Sequence, residues 1–283
     1  MERRGVDVGL PLVVREWGEG ERPLVFWPGL NPFGALALNE AGPIWADEYG
    51  LRVVSVSPPG IGEPPPLPAE GYLLSRLSDL VVRLLDRLEL ERAAYVGFSW
   101  GASIGCHLTA RAPQRLRALV LLDAGYDDVE DDGKTLQERM ADMRASQDDF
   151  RFPSWEAFLA AARERRPLWR PALEAQLRAG MREEGGDIVP VASPEAAGAA
   201  LHGVIVEPPT AQLDAVGESG LPVLLLTSGE RAGEDEGRAA VERFRVSVPQ
   251  AEIVHVPEAG HDLLADVPER TTQAVGEFVR RQF

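Results

Sequence analysis

The stretch Ala93-Ala94-Tyr95-Val96-Gly97-Phe98-Ser99-Trp100-Gly101-Ala102 constrains this chain more than any other. A short apolar run passes through Gly-x-Ser-x-Gly straight into small residues. That order predicts a strand, a sharp turn and a helix, with Ser99 at the apex. A serine held on a strained turn brings neighbouring backbones close, and a side chain at either flank would clash, so glycine is required there. The same string inside a loop would say little. Between a strand and a helix it marks Ser99 as a candidate nucleophile.

The rest of the chain alternates around this point. Residues 11–17 and 23–27 read as strands about a Gly-Glu-Gly-Glu turn, the second opening into the irregular loop Pro28-Gly29-Leu30-Asn31-Pro32. A helix is expected over about 36–49 and a buried strand over 52–56, followed by Ser57 to Pro66 as a stiff surface loop. Leu73, Leu77, Leu80, Leu84 and Leu88 recur at helical steps and predict an amphipathic helix over 72–88. Pro113 stops the helix after Ser99, and strands follow at 116–123, 222–227 and 251–256, with helices near 237–246 and 268–281. Strands alternating with helices predict a parallel sheet covered on both faces. The alternation breaks at Ala124. Up to about residue 216 no buried strand is expected, only helical stretches at 134–146, 154–166 and 169–183, punctuated by Pro153, Pro167 and Gly185-Gly186. The expected organisation is a core of residues 1–123 and 217–283, with a helical cap of residues 124–216. The acidic run Asp127 to Asp132 reads as a solvated hinge to that cap.

The composition limits the partners. The chain has 283 residues, 45% hydrophobic and 26% charged, with a net charge of −16. Such acidity argues against nucleic acid and anionic membranes, which need basic patches. No apolar run approaches the ~18 residues of a membrane span, and the first residues lack the apolar core of a secretory signal. A soluble cytoplasmic protein is expected. Cys106 is the single cysteine and reads as a buried structural thiol that excludes an intrachain disulfide.

Three segments together resemble the α/β-hydrolase superfamily: Phe26-Trp27-Pro28-Gly29-Leu30, Gly97-Phe98-Ser99-Trp100-Gly101 and Glu258-Ala259-Gly260-His261-Asp262. The resemblance implies a mostly parallel, doubly wound, eight-stranded sheet with an inserted helical cap. It implies Ser99 as nucleophile and the backbone N–H groups of Leu30 and Trp100 as an oxyanion hole. A serine needs a base. His107 lies eight residues on in the same helix, about 12 Å along its axis; His202 falls in the cap and His255 within a strand. His261, in the Gly-rich loop after the last strand, fits the family order and is the expected base. The acid is harder to place, because Ala232 occupies the common family position. Asp123, ending strand 116–123, is preferred, with Glu234 next and Asp235 or Glu230 as further choices.

The implied activity is hydrolysis of a carboxylic ester or lactone through an acyl-enzyme, with no metal or organic cofactor. Trp155, Phe158, Leu159, Trp169 and Met181 give the cap apolar faces. Trp155, Phe158 and Trp169, with Trp100, are the expected substrate contacts, for an uncharged, partly apolar molecule. Two other readings stand beside this one. Gly-x-Ser-Trp-Gly also resembles proline iminopeptidases, for which Glu174, Glu183 and Glu184 would have to hold a substrate ammonium. The displaced acid also allows a catalytically weak ligand-binding member. The expected partner is a small molecule, with homodimer formation left open.

Overall fold

The computed structural model describes residues 1–30, 37–166 and 168–283. Six strands precede a long insertion: β1 (Glu2–Asp7), β2 (Pro11–Trp17), β3 (Pro23–Trp27), β4 (Arg52–Ser57), β5 (Ala93–Phe98) and β6 (Leu116–Leu122). Within the insertion lie β7 (Met181–Glu184) and β8 (Asp187–Pro190), and after it β9 (Val223–Ser228) and β10 (Ala251–Val256). Eight of these form one sheet in the order β1-β2-β4-β3-β5-β6-β9-β10, while β7 and β8 pair separately. β1/β2 and β2/β4 are antiparallel, and every pairing from β4 to β10 is parallel. This is the mostly parallel α/β sheet that the alternation predicts.

β5 lies at the centre with all six residues buried. Successive residues of a strand face opposite sides, and the sheet accordingly feeds two cores. Tyr95, Leu119, Leu121, Val223 and Leu225 pack beneath helices Leu74–Arg87, Trp100–Arg111 and Asp235–Ser247. Val96, Phe98, Val120, Leu122, Leu224 and Leu226 pack beneath helices Ala41–Asp47 and Pro268–Arg280. Ten consecutive residues of the helix after Ser99, Trp100 to Thr109, are buried, which its small side chains allow.

Several local expectations change. β1, Glu-Arg-Arg-Gly-Val-Asp, is invisible as a strand in the sequence because it is an edge strand with only Val6 buried. The helix expected over 36–49 is observed as Ala41–Asp47; Asn31, Pro32 and Leu36 lie outside the described residues, as does Pro167. The segment from Ser57 to Ile61 is buried rather than superficial, with the Tyr72 hydroxyl donating to the Pro59 carbonyl (3.0 Å). The helix expected to reach 183 ends at Ala179 and gives way to the β7–β8 hairpin. Its two-residue loop, Gly185-Gly186, has φ of 64° and 93°, the backbone that matches the twist of a tight hairpin and that side chains resist.

The insertion is not uniform. Helix Pro194–Val206, not anticipated, places Ala196, Ala199, Ala200 and Val204 in the main core together with Leu213 and Val216. A separate apolar cluster holds Phe158, Leu159, Leu173, Leu177, Met181 and Ile188. The acidic run is exposed from Asp128 to Asp132, as expected, and it also ties the insertion down. Asp127 pairs with Arg231 (2.6 Å), Asp128 accepts from the Thr210 amide (3.2 Å), and Asp131 and Asp132 hold the buried Arg139. Carboxylates can serve buried arginines as readily as water.

No helix among the described residues is long and apolar enough to cross a membrane. Cys106 is fully buried, and burial pushes its thiol up to about 12. The reactive species is the thiolate. Iodoacetamide at pH 8 is therefore expected to leave Cys106 unmodified in the native protein and to alkylate it in guanidinium, as read by intact mass.

Candidate active site

Strand register builds the site. Phe98 of β5 stands beside Leu122 of β6, and Leu122 beside Leu226 of β9. The next residues, Ser99 and Asp123, therefore leave the sheet as neighbours at its C-terminal edge, where open α/β sheets bind ligands. The Ser99 N–H donates to the Leu122 carbonyl (3.0 Å) and the Asp123 N–H to that of Leu226 (2.8 Å). Both residues then turn sharply, with φ of 52° and 51°. Such left-handed backbone is costly for a residue with a side chain and persists only where the surroundings impose it.

The surroundings of Ser99 are tight. A Cβ at Gly97 would overlap the Gly101 carbonyl, and one at Gly101 would overlap that of Trp27. The buried Tyr95 hydroxyl donates to the Gly101 carbonyl (2.9 Å), tying the helix start to β5.

Asp123 is fully buried. Its Oδ1 accepts the Ser228 N–H (2.7 Å), and its Oδ2 accepts the Ser228 hydroxyl (2.8 Å). Oδ2 also lies 2.7 Å from Nδ1 of His261. Arg231 donates to the Asp123 carbonyl (2.9 Å) and pairs with Asp127, whose carboxyl burial pushes above its usual range against the pull of Arg231.

His261 completes the arrangement, its Nε2 lying 2.9 Å from Ser99 Oγ. A carboxylate only accepts, which assigns the proton to Nδ1 and leaves Nε2 to accept from the Ser99 hydroxyl. The loop carrying His261 is pinned by its own backbone. Its N–H donates to Glu230 Oε2 (2.8 Å), and that of Gly260 donates to Asp266 Oδ2 (3.0 Å). The Phe98 ring packs at 5.2 Å from the imidazole.

The other sequence candidates lie elsewhere. Glu234 is exposed at the start of helix Asp235–Ser247, and Asp235 pairs with Arg238. Glu230 meets His261 through the backbone, not the ring. The His107 Nε2 lies 3.1 Å from the Glu207 carbonyl, and burial pushes its imidazole down. His255 Nδ1 is 3.1 Å from the Thr227 hydroxyl. His202 Nδ1 has no partner among the described residues.

Trp100 heads helix Trp100–Arg111, where a first-turn N–H has no intrahelical acceptor. Gly29 brings the neighbouring loop against Ser99; a Cβ there would lie 3.0 Å from Ser99 Cβ. That closeness sets the Leu30 backbone beside Ser99. The Trp100 indole does not face the site, packing edge-on against Trp27 at 6.1 Å within the core.

Two cavities meet here. One of about 580 Å³ is lined by Ser99, His261, Leu30, Glu230 and the inserted Arg165 and Arg166, among others. The second, of about 590 Å³, is largely apolar and includes Phe152, Phe158, Leu177 and Met181. Of the expected aromatic contacts only Phe158 lines either. The Trp155 indole donates to Glu183 (3.0 Å), Trp169 lies under Arg163 at 4.7 Å, and both pack on the insertion's own cluster. Helical periodicity reports that a face is apolar, not what covers it. Sequence reasoning missed Ser228, Arg165 and Arg166, and it offered Glu230 as the acid rather than as the carboxylate that holds the His261 N–H. Ser228 alone carried a signal, as a hydroxyl ending a strand next to a candidate acid.

A profile of the alpha/beta hydrolase fold matches residues 25–266. The chain is 35% identical over 102 residues to a putative non-heme haloperoxidase of Mycobacterium phage D29, covering 36% of each. It is 26% identical over 265 residues to the dihydrolipoyllysine-residue acetyltransferase component of the acetoin cleaving system of Pseudomonas putida, covering 93% of this chain and 65% of that one. It thus spans less than two thirds of the length of these curated relatives. Among solved structures it superposes on E-2-(acetamidomethylene)succinate hydrolase with a TM-score of 0.79 and 24% identity over 98% of both chains.

Proposed function

This chain belongs to the alpha/beta hydrolase fold family, and on that premise we propose that it is a serine hydrolase that cleaves a carboxylic ester or lactone through an acyl-enzyme. The observation that carries the proposal is the continuous contact from Ser99 Oγ to His261 Nε2 (2.9 Å) and from His261 Nδ1 to the buried Asp123 (2.7 Å).

The steps follow from these atoms. His261 Nε2 takes the Ser99 proton as Oγ attacks the carbonyl carbon. The tetrahedral oxyanion is held by the N–H groups of Leu30 and Trp100. The imidazolium, stabilised by Asp123, returns its Nε2 proton to the leaving oxygen as the ester C–O bond breaks. Water then gives a proton to Nε2 and attacks the acyl carbon, and the acid leaves as Ser99 regains its hydroxyl. Side chains, backbone and water suffice for every step. The inserted segment acts as a cap, and its apolar cavity receives the hydrophobic part of the substrate.

Asp123, reaching His261 from another strand end than the usual one, favours this enzyme over a catalytically weak ligand-binding protein. Glu174, Glu183 and Glu184 pair with Arg178, Trp155 and Arg182 and line neither cavity, which disfavours the proline iminopeptidase reading. Purified protein is expected to release nitrophenol from short acyl 4-nitrophenyl esters and to be labelled at Ser99 by a fluorophosphonate, both effects vanishing in Ser99→Ala. Absence of both from the wild type would overturn the reading; turnover of prolyl nitroanilide alone would replace it with the peptidase.

A further inference from the structure

Arg165 and Arg166 follow helix Trp155–Glu164 and line both cavities, the polar one holding Ser99 and the apolar one behind it. The third residue shared by the two is Leu30, beside the reacting serine. Two guanidinium groups thus stand at the passage between the nucleophile and the apolar chamber.

Both are held less tightly than the neighbouring Arg170. Arg170 grips Glu40 through Nε at 2.7 Å and donates to the Leu264 and Ala265 carbonyls at 3.1 and 2.8 Å. Arg166 instead makes two longer ion pairs without a hydrogen bond, at 3.5 Å to Asp262 and 3.6 Å to Asp266. Both of those carboxylates have other work: Asp262 accepts the Ala265 N–H (3.2 Å) and Asp266 that of Gly260 (3.0 Å). The Arg165 side chain has no hydrogen bond or ion pair among the described residues. In a chain of net charge −16 these are donors facing a reactive cavity without a full complement of acceptors.

We propose that Arg165 and Arg166 form a carboxylate-binding subsite, so that the substrate is an anionic ester carrying a free carboxylate a few bonds from the scissile carbonyl. This deepens, and rests on, the serine hydrolase reading, and it replaces the uncharged substrate that the sequence suggests. The planar guanidinium fork matches a carboxylate in two parallel N–H···O contacts. A monoanion fits better than a phosphate dianion, because Glu230, Asp262 and Asp266 line the same cavity and repel the second charge.

The test compares kcat/KM for the mono-4-nitrophenyl ester of glutaric acid with that for its neutral methyl ester. The anionic ester is expected to be favoured about tenfold, the equivalent of one good charged contact, with the preference shrinking in about 0.5 M NaCl, where the screening length falls to roughly half its physiological value. The ratio is expected to fall about tenfold in Arg165→Gln/Arg166→Gln and to recover in part with the lysine pair. A wild-type ratio of one or below, or a ratio indifferent to the double substitution, overturns the subsite. Glutarate binding to Ser99→Ala, measured by calorimetry, reads the subsite without turnover. Binding lost in the Gln pair supports the subsite even if neither ester is hydrolysed, in which case only the catalytic reading fails. No binding of glutarate overturns the subsite even if neutral esters turn over.

Discussion

Asp123→Asn is expected to lower kcat about 10⁴-fold with little change in KM, a loss of roughly 5 kcal/mol of transition-state stabilisation. The carboxylate accepts from Ser228 through N–H and hydroxyl and faces Nδ1 of His261. Asparagine is the same size but replaces one acceptor oxygen with a donor. If its oxygen stays on the Ser228 N–H, its NH₂ faces Nδ1, and the imidazole proton moves to Nε2. That nitrogen then points a proton at Ser99 and can no longer take one. Fold stability should fall far less, since a burial cost for the charge disappears together with the contacts. Glu234→Gln, at an exposed helix start, should leave kcat within about twofold, as surface charge changes usually do. Steady-state kinetics of the two variants on one activated ester check the assignment, and the reverse ranking would refute it.

The second large effect concerns folding. Gly101→Ala is expected to destabilise the protein by about 4 kcal/mol or more, which ranks among the severe single changes, or to prevent soluble expression. The added methyl overlaps the Trp27 carbonyl oxygen and would lie 2.8 Å from the Trp27 carbonyl carbon and 3.0 Å from the Pro28 carbonyl oxygen. These are backbone atoms at the end of β3, so relief requires moving a central strand or the buried helix Trp100–Arg111. A long side chain could swing aside, but a strand locked in a close-packed core cannot do so cheaply. Gly5→Ala is the comparison, because its methyl would meet only the Leu12 carbonyl at 3.9 Å. Thermal melts should separate the two by about 10 °C or more; similar midpoints would show that the turn has slack.

The elbow was legible because each of its signals is local. An apolar run, two glycines around a serine and a run of small residues lie within ten positions, and each follows from a steric demand of its immediate neighbours. His261 was legible for a similar reason, as the one histidine in a Gly-containing loop after the last strand. The hairpin after Ala179 was hidden because Met181 to Glu184 carries three charged residues and pairs on one side only. Its Gly185-Gly186 loop is visible in the sequence, but a glycine pair ends a helix as readily as it turns a hairpin. Trp155 and Trp169 illustrate a different limit. Expected to touch substrate, both are only partly buried and pack on the insertion's own cluster rather than line the cavity.

The sequence by itself determined the alternation of strands and helices and the turn that lifts Ser99 from the sheet. Both depend on residues a few positions apart. Only the tertiary structure decided which carboxylate meets His261, that Ser228 supports it, and that Arg165 and Arg166 stand between the two cavities. Those choices pair groups distant in the chain: His261 contacts Ser99 across 162 positions and Asp123 across 138. Strand register sets them, and register emerges from the packing of two cores at once, which no local pattern encodes.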